Sequence, residues 1–210
     1  MSNAPQSFHS PCGDVRRRRR RGVNSLEIAG VGFGIVAVWL TIRENPWCWP
    51  VGLVNVLLFT AVFAQARLYG SAGLQVVYAA LAIYGWYAWL HGGANDGALH
   101  VSRAPRRVLA GLLLVSTAVA LLLGVGLRVA GAALPMVDGA ATSFSLAAQA
   151  LQTRKWIENW LIWVVVDAVY VVMYASQTLY LTAGLYAVFL VMAVIGWRAW
   201  TGSMTIARAA

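Results

Sequence analysis

The sequence predicts an all-α integral membrane protein. It has seven transmembrane helices in a 3+1+3 plan, two parallel repeats of a three-helix bundle around one linker helix. Three observations lead there. The 210 residues are 60% hydrophobic and only 11% charged, against roughly 45–50% and about 25% in soluble domains. Apolar runs near the ~20 residues that a bilayer-crossing helix needs recur seven times, separated by short joints holding Pro46, Pro50, Gly70, Gly92, Gly93, Pro105 and Pro135. The chain also repeats itself: a shift of 111 residues lays Leu68–Trp89 on Leu179–Trp200 with eleven of twenty-two positions identical.

Taken in order, residues 1–24 form an Arg-rich disordered tail, polar and poor in apolar side chains. The first repeat, 25–90, holds spans at Leu26–Ile42, Pro50–Ala66 and Ala72–Leu90. A loop and linker helix occupy 91–130, with the span at Val108–Val129. The second repeat, 131–200, holds Leu134–Leu151, Trp156–Tyr174 and Leu179–Trp200, and 201–210 is a short tail. The fifth span is semi-polar, carrying Asp138, Thr142, Ser143, Ser145 and Gln149.

The formal charge of +9 does not point to nucleic acid. Six of the sixteen Lys+Arg residues are the single run Arg16–Arg21, and the others stand at span edges, where membrane lipid headgroups attract them. With the N-terminus outside, the inner loops hold eight basic residues and the outer ones only Arg67 and Arg128, which favours a cytoplasmic C-terminus. The arginine tail argues the opposite. Cys12 and Cys48 show no redox or metal spacing.

The repeat has a topological consequence. Each copy closes on the same motif, Gly85-Trp86-x-Ala88-Trp89 and Gly196-Trp197-x-Ala199-Trp200, and the shift also pairs Trp49 with Trp160. Two three-span units separated by one span share an orientation. Parallel repeats of that kind are a standard transporter plan, with substrate bound between them near mid-membrane. The middle helices of both units carry intramembrane amides, Asn55 and Asn159.

The second middle helix, WIENWLIWVVVDAVYVVMY, is the most informative stretch. At helical spacing Trp156, Trp160, Trp163, Asp167, Tyr170 and Tyr174 share a face. A carboxylate at bilayer depth costs roughly 2.5–3.5 kcal/mol on insertion scales unless it faces protein or water. An aromatic stripe carrying an acid therefore reads as a cavity wall. Tryptophans at this spacing describe a packed core equally well.

The run Ile157-Glu158-Asn159-Trp160-Leu161-Ile162-Trp163-Val164-Val165-Val166-Asp167, preceded by Arg154-Lys155, resembles the signature of the PnuC nicotinamide riboside transporter family, with Trp160-x-x-Trp163 at its core. The first half agrees at Trp49-Pro50-Val51-Gly52, Ala66-Arg67-Leu68-Tyr69-Gly70, Leu74-Gln75-Val76-Val77-Tyr78 and Tyr84-Gly85-Trp86. Span five agrees at Ser143-x-Ser145-x-x-Ala148-Gln149. The resemblance covers roughly 25–200 in order. It implies a relation to the SWEET sugar transporters and a place in the bacterial inner membrane. It also implies facilitated, alternating-access uptake of a vitamin-like nucleoside for NAD biosynthesis, trapping of the product by a cytoplasmic kinase, and a homotrimer.

Nicotinamide riboside carries a flat pyridinium cation, a carboxamide and ribose hydroxyls. Trp160 and Trp163 are the expected stacking residues, since a cation over a tryptophan face gains ~0.5–2 kcal/mol. Asn159, Gln75, Gln149 and Asn55 both donate and accept hydrogen bonds, although Asn55 and Gln149 equally suit helix–helix bonding. Asp167 either balances the cation or locks its helix to a neighbour.

Thiamine is also a flat cation and riboflavin is a related cargo, so both stay open, as does a non-transporting accessory subunit. No enzyme, cofactor or metal is expected. His9, His91 and His100 lie outside the spans without ligand spacing, and the sequence contains no phosphate-binding GxxxxGK[ST] loop. A retinal protein needs a lysine within its last span, whereas Lys155 is the only lysine and precedes span six.

Overall fold

The computed structural model describes residues 25–65, 69–93, 97–131 and 134–209. The arginine tail, Arg67 and Leu68 lie outside the described residues. Seven helices follow in order: α1 (Ser25–Ile42), α2 (Cys48–Gln65), α3 (Tyr69–His91), α4 (Arg106–Val129), α5 (Pro135–Thr153), α6 (Glu158–Ser176) and α7 (Tyr180–Ala209). Among the described residues the only β-type pairing is a single parallel bridge between Ser102 and Trp156. Three segments are long and apolar enough to cross a membrane, Arg106–Val129, Glu158–Ser176 and Tyr180–Thr205, with shorter apolar stretches at Ile28–Ile42 and Cys48–Val62.

Local chemistry sets the helix ends. The α1–α2 turn is closed by Asn45, whose side-chain oxygen accepts from the Trp47 amide at 3.0 Å, a turn that asparagine forms readily. Pro135 opens α5, where its missing N–H costs nothing. α7 runs on to Ala209, through the residues expected to be a tail. Its extra turns are held by Thr201 and Thr205 hydroxyls bonding carbonyls four residues back, and Met204 is buried in the core.

α4 packs chiefly on α5 through small residues one turn apart. Ser116, Ala120 and Gly124 are buried on α4, and Gly139 and Ser143 on α5. A β-carbon at Gly139 would lie 2.7 Å from the Gly124 nitrogen, so the two backbones approach as only glycine permits. Ser143 donates to the Ser116 carbonyl at 2.8 Å, which uses part of the polarity of the fifth span. The rest of α4 is bare: Leu114, Leu122 and Val129 are each more than 70% exposed.

α1 packs on α2 and α2 on α3, α5 packs on α6 and α6 on α7, and α3 meets α5 while α7 meets α1. The 111-residue offset recurs in these contacts. The Trp49 ring packs over Gly85 and stands edge-on to Trp89; the Trp160 ring packs over Gly196 and stands edge-on to Trp200. A β-carbon at Gly196 would lie 2.6 Å from the Trp160 ring, and one at Gly85 would collide with Trp49 in the same way. The motif that closes each repeat is thus a socket for a tryptophan of the middle helix. Between units, Trp89 Nε1 donates to the Gln152 carbonyl at 2.9 Å and Trp200 Nε1 to the Thr41 carbonyl at 3.1 Å. Thr41 and Gln152 are themselves 111 residues apart.

Candidate functional site

The two units enclose a cavity of about 490 Å³, within the range of small-molecule sites. Its lining comes from α1, α2, α3, α5, α6 and α7; α4 supplies none of the described lining residues. At one end the cavity rests on Trp49 and Trp160. With Trp89 and Trp200 they form a continuous chain of rings, with centroids 5.5, 5.9 and 5.4 Å apart. At the other end Tyr170, Tyr174 and Tyr186 lie 4.6–5.7 Å from one another, beside Asp138 and Asp167.

Of the residues singled out from the sequence, Gln75, Asn55, Gln149, Trp160, Trp163 and Asp167 line this cavity. Asn159 does not. It is fully buried, its Nδ2 donates to the Trp156 carbonyl at 2.6 Å, and its Oδ1 has no partner among the described residues. One residue before Trp160, it points about 100° away from the cavity stripe. Trp156 precedes α6 altogether.

Trp160 touches the cavity but is 98% buried, its ring held between Gly196 and Trp200. Asn55 donates to the Gly30 carbonyl at 2.6 Å, so it ties α1 to α2 as well as facing the space. Asp167 is 96% buried, and no hydrogen bond or ion pair reaches it among the described residues. Tyr78, whose hydroxyl bonds that of Ser145 at 2.7 Å, also faces the cavity. Tyr186 and Asp138, with no motif around them, were not picked out. Tyr186 stands 111 residues after Gln75, a position where the two halves are not identical.

Beyond the tryptophan floor lie the α1–α2 and α5–α6 turns, again matched at the 111-residue offset. Glu44 and Lys155 occupy the equivalent place in each, both with left-handed backbone at φ 55° and 48°. Their amides bond the Thr41 and Gln152 carbonyls at 2.9 and 3.0 Å. Lys155 Nζ lies 3.5 Å from Glu44 Oε2 and 4.5 Å from the centre of the Trp89 ring. Burial holds the Lys155 ammonium below its usual pKa, and Glu44 opposes that shift. The α3–α4 segment seals the same end: Ser102 pairs with the backbone of Lys155 and Ile157, and the Ala104 amide donates to Glu158 at 2.9 Å.

A helical membrane protein with a solute-sized cavity among its helices is the class that this fold and site define. Sequence comparison narrows it. Residues 24–202 match the nicotinamide mononucleotide transporter family, and the chain belongs to that family. It is 32% identical to the nicotinamide riboside transporter PnuC of Escherichia coli, with 85% of each chain covered. It is 30% identical to the riboflavin/roseoflavin transporter RibM of Streptomyces davaonensis, with 83% of each covered. The crystal structure of the vitamin B3 transporter PnuC superimposes with a TM-score of 0.67 at 23% identity, covering 86% of this chain and 82% of that one.

Proposed function

We propose that this chain is a multi-pass carrier of the bacterial inner membrane that admits nicotinamide riboside by facilitated diffusion with alternating access, supplying NAD biosynthesis. All seven helices span the bilayer, as two parallel three-helix repeats about α4, with the C-terminus in the cytoplasm. The matched sockets and the reciprocal Trp89 and Trp200 bonds support that plan. The family likeness adds a homotrimer, checked by light scattering of the detergent-purified protein.

The observation that carries the cargo reading is the charge of the cavity. Two carboxylates, Asp138 and Asp167, line it, and no lysine, arginine or histidine is among the described lining residues. A pyridinium finds aromatic faces and an unpaired acid there, both of which favour a desolvated cation. The phosphate of a mononucleotide would meet carboxylates and no counter-charge, which is costly in a low dielectric. In this arrangement Trp163 and the tyrosines stack on the ring, and Gln75 and Gln149 bond the carboxamide and ribose. Trp160, Asn159 and Asn55 hold the wall in place.

The likeness to RibM supports a second cargo, riboflavin, a flat but neutral molecule. Calorimetry of the purified protein with nicotinamide riboside, its mononucleotide, thiamine and riboflavin separates the readings. Binding of the riboside without its mononucleotide is expected. Binding of the mononucleotide with equal affinity refutes the charge argument. Binding of riboflavin or thiamine alone replaces the cargo. A chain that binds none of them is an accessory subunit or carries something else.

A further inference from the structure

We propose that Glu44 and Lys155 form the latch between the two repeats that keeps the tryptophan-floored end of the cavity shut. They must part before cargo can pass that way. The inference rests on the transporter reading for its purpose but on independent geometry for its existence.

The two residues are equivalents under the 111-residue offset and sit on the α1–α2 and α5–α6 turns, one on each unit. Their backbones are left-handed, a conformation that favours glycine and that strains other residues by about 1–3 kcal/mol at the positions where it is kept, often functional ones. Both turns instead carry a charged side chain, of opposite sign, and the two meet at 3.5 Å. The lysine is almost fully covered, with its cation over Trp89, so it is screened less than a surface pair. Beneath the pair lie the Trp89 and Trp200 rings, 5.9 Å apart, which join the two units. Among the described residues this is the one ion pair. A pair linking two bodies, instead of bracing one, holds a gate.

The protein contains its own reporter. Cys48 is buried at the start of α2, just below the turn that carries Glu44, and the only other cysteine, Cys12, is silenced by Cys12→Ser. A thiol reagent too polar to cross a bilayer is applied to each face of vesicles holding the full chain, and the labelling rate of Cys48 is measured. Glu44→Gln and Lys155→Met are expected to raise that rate from one face by about fivefold or more, the scale of a coupling between two conformations. The exchanged variant Glu44→Lys/Lys155→Glu restores the pair and returns the rate to within about twofold of wild type. Wild-type rates in both single variants overturn the latch, and so does an exchanged variant as reactive as the singles. Thermal unfolding beside the labelling distinguishes a loosened gate from a damaged fold: the single variants should label faster below their unfolding transitions, and labelling only within the transition overturns the proposal. Because no cargo enters the experiment, failure to bind nicotinamide riboside refutes the cargo reading and leaves this one standing.

Discussion

The two repeats share a frame and differ in their cavity walls. At the 111-residue offset, the frame is the same residue on both sides: Trp49 and Trp160, Gly85 and Gly196, Trp89 and Trp200. The wall is not. Where the first repeat lines the cavity with Val31, Gly34, Val38, Gly52, Val56 and Phe59, the second places Thr142, Ser145, Gln149, Trp163, Asp167 and Tyr170 at the matching positions. Both sets face the same space. At these six positions the first wall is apolar and the second polar or aromatic, while Asn55, Gln75 and Tyr78 add polar groups to the first wall elsewhere. A duplicated scaffold needs identical packing to keep its shape, but its ligand has no twofold symmetry, so only the wall has reason to diverge.

The comparison makes predictions. The largest effect belongs to the frame: Trp49→Ala and Trp160→Ala should each destabilise the fold by about 3–5 kcal/mol, as buried tryptophan truncations do. Their thermal transitions in detergent should fall by similar amounts. A loss of ligand affinity at Trp160 with unchanged stability would instead make it a contact residue. Next comes overpacking at the sockets. Gly85→Ala and Gly196→Ala should each cost about 1–3 kcal/mol, read from the same transitions, and unequal losses would break the equivalence of the repeats.

The wall predictions are smaller and one-sided. Asp167→Asn should weaken binding of nicotinamide riboside about tenfold, roughly 1.4 kcal/mol, measured by calorimetry. Val56→Ala, at the equivalent place, should leave affinity within about twofold. If the two variants behave alike, the walls are not functionally distinct. The smallest effect is at the α4 seam, where Ser143→Ala should cost about 1 kcal/mol of stability and leave binding untouched.

The sequence made the frame legible because packing repeats leave identities: Gly-Trp-x-Ala-Trp appears twice, and its glycine and final tryptophan form the socket in each copy, while Trp86 and Trp197 stand exposed. Depth was harder to read. Periodicity placed Trp160 and Asp167 on one face but could not tell that the tryptophan is clamped by Gly196 while the acid, equally buried, has no hydrogen bond or ion pair among the described residues. Asn159 was chosen for its chemistry, although its position in the helical turn takes it off the stripe. Tyr186 escaped because its partner in the first repeat is Gln75, so the identity that marks the frame is absent where the wall differs. The extension of α7 escaped because Thr201, Ser203 and Thr205 read as polar tail, yet their hydroxyls bond back to the helix.

The opposite signs of Glu44 and Lys155 have a consequence for ancestry and assembly. Two copies of the first repeat, meeting as Glu44 and Lys155 meet here, would set glutamate against glutamate; two copies of the second would set lysine against lysine. Either like pairing leaves repelling charges in a poorly solvated place, and only the mixed pair is neutral. If the halves were made as separate chains, this contact would favour one-to-one association of unlike partners over self-association. The covalent linker through α4 then sets stoichiometry where the charges already set identity.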